Sequence, residues 1–223
     1  MQTFATTAPI ATVVALPAGH LRFIAADRAD ATVEVRPANP TKSRDVKAAE
    51  ETAVSFTDGV LRITAPEAKN QIFGQTGSVE ITVQLPTGSS VQAKAAAADL
   101  RGVGRLGDVT YEAAQGPVKL DEAAAVRLTL QDGDISIGRL AGNAELSTAR
   151  GDLKIAEAVA GTVVLSTQAG SIAVGAARGT SATLDAGTTL GRISNTLQNA
   201  AGTGAELTIR ATTALGDITA HSN

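Results

Sequence analysis

Between Val126 and Val174 apolar and polar positions alternate in a unit written three times, as VRLTLQDGDISI, AELSTARGDLKI and VVLSTQAGSIAV. Each copy turns on a glycine (Gly133, Gly151, Gly170), at spacings of 18 and then 19 residues. With that glycine as origin, the alignment also takes in Gly116, Gly191 and Gly216. Seven positions before it stand Val109, Val126, Ala144, Val163, Leu184 and Ile209, and five before it Tyr111, Leu128, Leu146, Leu165, Ala186 and Ala211. Two after it come Val118, Ile135, Leu153, Ile172, Ile193 and Ile218. Four after it come Leu120, Ile137, Ile155 and Val174, before the column fades to Asn195 and Ala220. Intervening positions such as Arg127, Thr129, Glu145, Ser147, Lys119 and Lys154 are polar, so each strand has one face in and one face out. Second turns near Gly142, Gly161 and Gly179 give two short strands per coil. The pattern predicts an all-β chain, a single-domain β-solenoid of the parallel β-helix kind with coils of about 18 residues.

Ahead of the repeat the strands are irregular. Pro9–Leu16, Leu21–Ala25 and Thr32–Arg36 read as three short strands separated by Pro17-Ala18-Gly19 and Asp27-Arg28-Ala29-Asp30. Asn39 to Glu51 is a polar insertion in which Ser43 is placed to cap a short helix. Asp58-Gly59 between two alternating runs signals a hairpin. Residues 66–77 form a second loop, with Ile72-Phe73 as a candidate plug. Val79, Ile81, Val83 and Leu85 share an inward face. Residues 1–90 are therefore expected to form an N-terminal antiparallel strand cap, and residues 91–223 the solenoid repeats of the same continuous domain. The last coil, Glu206 to Ala220, is expected to be an exposed edge able to pair with another chain.

Composition narrows the function classes. With 19 basic and 22 acidic residues the net charge is −3, and no long basic block offers a nucleic-acid surface. Four Phe, one Tyr and no Trp leave few platforms for stacking a sugar. No Cys is present, which removes thiolate zinc sites, disulfides and a cysteine nucleophile. The N-terminus lacks a charged segment followed by an uninterrupted apolar one, and no stretch approaches the roughly 18 apolar residues of a membrane span. The expectation is a cytoplasmic protein without membrane insertion, surface exposure being compatible with a removed leader.

His20 and His221 lie in unrelated contexts. Asp134, Asp152 and Asp217 follow turn glycines, as does Asp108 after Gly107. Stacked, they form a candidate carboxylate ladder for Ca²⁺. The calcium-binding nonapeptide Gly-Gly-x-Gly-x-Asp is absent, however, and Pro117, Ser171 and Arg192 interrupt the column. Asp in such a turn is expected to bond its own backbone. Asp121-Glu122 and Glu145 are too scattered for a glycosidase pair. Ser147 and Ser166 lack a histidine partner in sequence. The glycines of RGVGRLGD are not followed by the Lys-Ser or Lys-Thr of a phosphate loop. Thr129, Ser136, Ser147, Ser166, Thr212 and Thr219 form an outward hydroxyl-rich face. No residue is assigned a catalytic, cofactor-binding or metal-binding role, and no cofactor is expected.

The opening APIATVVALPAGHLRF, the middle VEITVQLPTGSSVQAKAAAADL, the GDISI and GDLKI turns and the closing GRISNTL resemble the bacterial putative-adhesin β-solenoid family, a domain of unknown function. The resemblance covers nearly the whole chain. It implies a β-helical fold without enzyme activity and without an agreed ligand. The expected function is thus a non-enzymatic structural or interaction protein, presenting a rigid face or end to a protein partner or to itself through the C-terminal coil. The alternative is an adhesin-like module that binds a carbohydrate or cell-surface ligand.

Overall fold

The structure, a computed structural model, describes residues 1–66 and 77–223. The Ile72-Phe73 plug lies outside the described residues. The chain divides into two compact units, Met1–Gly116 and Pro117–Asn223, each built almost wholly of strands. Among the described residues no helix is long and apolar enough to cross a membrane.

The first unit contains β1 (Gln2–Ala5), β2 (Ala11–Ala26), β3 (Asp30–Pro37), α1 (Ser43–Glu51), β4 (Ala53–Thr57), β5 (Val60–Thr64), β6 (Val79–Pro86) and β7 (Ser90–Gln115). Its centre is β2, and here the expectation of antiparallel pairing needs correcting. β2 runs parallel to β5 from Ala11↔Val60 and to β6 from Gly19↔Val79, and parallel to β7 from Ala11↔Ser90 through Ile24↔Val103. Coils of the stacked kind therefore begin in the first unit. Antiparallel pairing is confined to β1 with β3, β3 with β6, and β4 with β5.

The first two of the three short strands expected here are one. Pro17-Ala18-Gly19 bends β2 without ending it, and the ladder to β7 skips only Pro17, which has no N–H to give. Gly19, at φ 150°, makes the corner; a Cβ there would run into the Val79 carbonyl oxygen. Asp58 and Gly59, with φ of 52° and 74°, form the hairpin turn between β4 and β5. Phe4 of β1 packs on Phe56 of β4 with ring centroids 5.3 Å apart.

The polar insertion does fold as a helix, but Ser43 is its first residue and no side chain caps it. The helix docks through its other face. Asp45 is buried, its carboxylate accepts from the Ser78 backbone N–H at 3.0 Å, and Ala48 is buried beside Gly77.

The second unit is the regular stack: β8 (Val118–Asp132), β9 (Ile135–Leu140), β10 (Ala144–Arg150), β11 (Leu153–Ala158), β12 (Gly161–Ala169), β13 (Ile172–Ala176), β14 (Ala182–Leu190), β15 (Ile193–Thr196), β16 (Leu207–Leu215) and β17 (Ile218–Ser222). All pairs between these coils are parallel. β10 is matched to β8 at Ala144↔Val126 and to β12 at Ala144↔Val163, so the apolar columns of the sequence are the vertical columns of the stack. Their residues fill its interior: Leu128, Leu146, Leu165, Ile172, Val174, Ile209 and Ile218 are at most 1% exposed.

The order of the last coils departs from the order of the chain. β12 pairs with β16 and β13 with β17, while β14 and β15 pair with the opposite edges of β16 and β17. The C-terminal coil is therefore interior, and the exposed edge expected of it belongs instead to β14 and β15. The side chains account for this. The β16–β17 coil places Ile209, Ala211, Ile218 and Ala220 in the four inward columns, whereas β14–β15 supplies Leu184, Ala186, Ile193 and Asn195. A polar Asn is tolerated where water reaches and costly between two dry layers. The more apolar coil goes inside.

Candidate functional site: the turn ladder and the open coil

The turns of the second unit are built alike. At Gly151, with φ 138°, an L side chain is disfavoured, and a Cβ would strike the carbonyl oxygen of Gly133 one coil away. The same collision relates Gly170 to Gly151, Gly216 to Gly170 and Gly191 to Gly216, which records the stacking order independently of strand pairing.

Three positions before Gly151, Gly170, Gly191 and Gly216, though not before Gly133, where Leu130 stands, is a threonine that the sequence reading passed over. Thr167, Thr213 and Thr188 donate their hydroxyls to the carbonyl oxygens of Gly151, Gly170 and Gly216, at 3.1, 3.0 and 3.1 Å, while the Thr148 hydroxyl lies 3.0 Å from the Arg150 carbonyl and 3.4 Å from that of Gly133. Thr148, Thr167 and Thr213 are buried. The signal was present as T-x-x-G in TARG, TQAG, TTLG and TALG.

The aspartates after the glycines also bind across coils rather than within their own turns. Asp134 accepts from the Asp152 backbone N–H at 2.8 Å, Asp152 from that of Ser171 at 2.7 Å, and Asp217 from that of Arg192 at 2.8 Å. Their acceptor capacity is directed at turn amides, the orphan donors of each corner. Asp108 lies apart from this column, exposed on β7 in the first unit. Among the described residues no three His, Asp or Glu side chains are grouped to hold a metal ion.

The outward face carries paired charges. Arg127 binds Glu145 at 3.1 Å, Arg150 binds Asp132 at 3.2 Å, and Arg139 sits between Glu122 and Glu157. The carboxylates singled out at Glu122 and Glu145 are thus engaged by arginines of neighbouring strands. Of the outward hydroxyls, Thr129, Ser147, Ser166 and Thr212 form one continuous row across β8, β10, β12 and β16. Ser136 and Thr219 belong to the other strand set, on β9 and β17.

His20 and His221 are not brought together. His20 lies on β2 with its Nδ1 3.0 Å from the Asp99 carboxylate, and His221 on β17 is matched to Gly175 and Thr196. In the first unit Tyr111 is buried and donates its hydroxyl to the Ala98 carbonyl at 2.7 Å. Burial, reinforced by the nearby Asp99 charge, raises its phenol well above the ordinary value.

The open coil differs chemically from everything below it. Among the described residues β14 and β15 have coil neighbours on one edge only. Ile193 occupies the same column as Ile172 and Ile218, yet it is 46% exposed against 1% for each of them. Leu190 beside it is 67% exposed, at an outward corner position whose match on the interior coil, Leu215, is itself 51% exposed. Asn195 turns its side-chain oxygen to the Leu197 backbone N–H. Only Asp185 is charged within the two strands, and the exposed Arg192 in the turn between them pairs with Asp217.

No curated protein matches this chain. Among solved structures, a putative adhesin from Bacteroides fragilis is similar over 98% of this chain and 95% of its own, at 15% identity and a TM-score of 0.59. A putative adhesin from Parabacteroides distasonis covers the same shares at 15% identity and a TM-score of 0.52. At such identities the likeness is one of fold. The profile of the Toastrack DUF4097 family matches residues 14–223.

Proposed function

The chain belongs to the Toastrack DUF4097 family, putative-adhesin domains of unknown function, and from that premise we propose that it is a non-enzymatic interaction protein working through its open coil. The partner adds a strand along β14 and covers Leu190 and Ile193. The observation that carries this reading is the exposure of Ile193 in a column whose equivalents below, Ile172 and Ile218, are sealed. A parallel stack leaves a row of backbone donors and acceptors at its end, and another strand edge satisfies that row best. The partner is either a second copy of the chain or a strand of another protein.

Sedimentation velocity across a wide concentration range tests the first case. The wild-type chain is expected to associate, and the Leu190→Lys/Ile193→Lys variant, with charges on the uncovered edge, to stay monomeric while its circular dichroism is unchanged. If wild type and variant associate equally, the open coil is not the docking edge. If both are monomers throughout, a second copy is not the partner, and a pull-down comparing the same two proteins decides the other case.

A second reading, binding of a surface carbohydrate, draws on the row Thr129, Ser147, Ser166 and Thr212 and on the adhesin names of the structural relatives. The lone Tyr is buried, so this row offers hydroxyls without an aromatic platform. Retention on glycan surfaces that is lost in Ser147→Lys but kept in Leu190→Lys/Ile193→Lys would select it over edge pairing.

A further inference from the structure

The last coil of the chain occupies an interior layer. β16 and β17 lie between β12–β13 and β14–β15, both of which precede them in sequence and leave the ribosome first. That layer is filled by Leu207, Ile209, Ala211, Ile218 and Ala220, each at most 1% exposed, with a backbone ladder on either side.

The layer is matched to this coil. It must supply a threonine hydroxyl to the Gly170 carbonyl, which Thr213 does at 3.0 Å, and a carboxylate to the Arg192 amide, which Asp217 does at 2.8 Å. The β14–β15 coil has the same threonine, Thr188, but carries Arg192 in place of the aspartate and Asn195 in the fourth inward column, and so suits a layer sealed on both sides less well. The tether, residues 197–206 (LQNAAGTGAE), holds two glycines, with Gly202 at φ 58°, and is largely exposed. It is fastened by a few bonds, from the Ala201 amide to the Ser181 hydroxyl and from the Gln198 amide to the Ser222 hydroxyl. Ten extended residues reach about 33 Å.

We propose that this layer accepts Leu207–Ser222 of a second copy of the chain, so that two copies exchange C-terminal coils reciprocally. Each contact of the closed monomer is recreated between copies, and only the tether changes course, so the dimer differs from two monomers chiefly in the entropy of association. The exchange is independent of edge pairing at β14: it exposes no new edge and needs none. It is favoured when many chains fold together.

The absence of cysteine in the sequence makes the test clean. Val164 and Arg210 are matched residues on β12 and β16, both exposed, at the spacing of adjacent strands, which a disulfide spans. Full-length Val164→Cys and Arg210→Cys proteins are mixed, unfolded in denaturant, refolded together at high concentration and oxidised. A disulfide-linked mixed dimer is expected. A mixture of Glu145→Cys and Val164→Cys, matched on β10 and β12 that do not exchange, is expected to give none. In the Val164→Cys/Arg210→Cys double variant, oxidised as a folded monomer so that the coil is tied into its own layer, refolding at the same concentration is expected to lose the exchanged dimer. The proposal is overturned if no mixed dimer forms, if both mixtures cross-link equally, or if the tied variant dimerises as the wild type does. Association that survives in the tied variant and disappears in Leu190→Lys/Ile193→Lys belongs to the open edge instead.

Discussion

Tyr111, Asp152 and Thr167 show how single side chains hold this backbone together. The Tyr111 phenol is raised by burial and by Asp99, so in the folded chain it keeps its proton at pH values where the unfolded chain, near its ordinary value of about 10, has begun to lose one. The stabilising contribution is therefore present below about pH 10 and declines as pH rises from there toward the folded value. Denaturant titrations between pH 8 and 11 are expected to show Tyr111→Phe losing less stability than wild type over that rise. At neutral pH the same variant is expected to be about 0.5–1.5 kcal/mol less stable, for want of the bond to Ala98. In the turn ladder, Asp152→Ala and Thr167→Val each remove one bond between coils. Each is expected to cost about 0.5–1.5 kcal/mol in urea unfolding. The glycine and aspartate columns could be read from the sequence because they repeat as a visible pair. Their partners could not, because an aspartate that caps its own turn and one that caps the next coil are the same letter in the same place. Thr167 was legible and overlooked: a threonine in an alternating strand looks like any β-former until a carbonyl is found above it.

Among the elements, position in the stack decides what a residue is worth. Ile218 and Ile193 share a column and a side chain and differ in having neighbours on both sides or on one. Ile218→Ala is expected to cost about 2–5 kcal/mol, the usual range for a buried cavity. Ile193→Ala is expected to cost about 1 kcal/mol or less, since only part of its surface leaves water. Thermal melts of the two variants measured side by side check the difference, and equal losses would mean the open coil is sealed in solution. Alternation and turn glycines made the strands of the second unit legible almost residue by residue. The long β2 was harder, because Pro17 and Gly19 end a strand in most contexts; here they bend one, and the ladder on β7 carries it across. The polar segment at Asn39 to Glu51 revealed its helix but not that Asp45 would be drawn in to hold the Ser78 amide.

For the second unit taken whole, the sequence announced parallel stacking but not the order of its layers, and for residues 1–90 it pointed to antiparallel pairing instead. Chain order is the natural first guess for a repeat, and nothing in the spacing of Gly191 and Gly216 contradicts it. The clue lay in composition, in Asn195 against Ala220, and it becomes decisive only when one asks which coil tolerates water on its inner face. In the first unit β2 likewise lies between later segments, β5 and β6 on one side and β7 on the other. Chain order and spatial order therefore part company in both units.

The placement of β14–β15 over β16–β17 has a consequence for how such stacks change size. A coil added to a stack needs a free backbone edge to settle on. Here a duplicate of β16–β17 would be encoded after the buried coil but would find free backbone only beyond β14–β15, whose Asn195 and Arg192 continue neither the dry interior nor the aspartate ladder. The arrangement acts as a stop on the ruler: the coil that would serve as template for the next one in sequence is already paired on both edges.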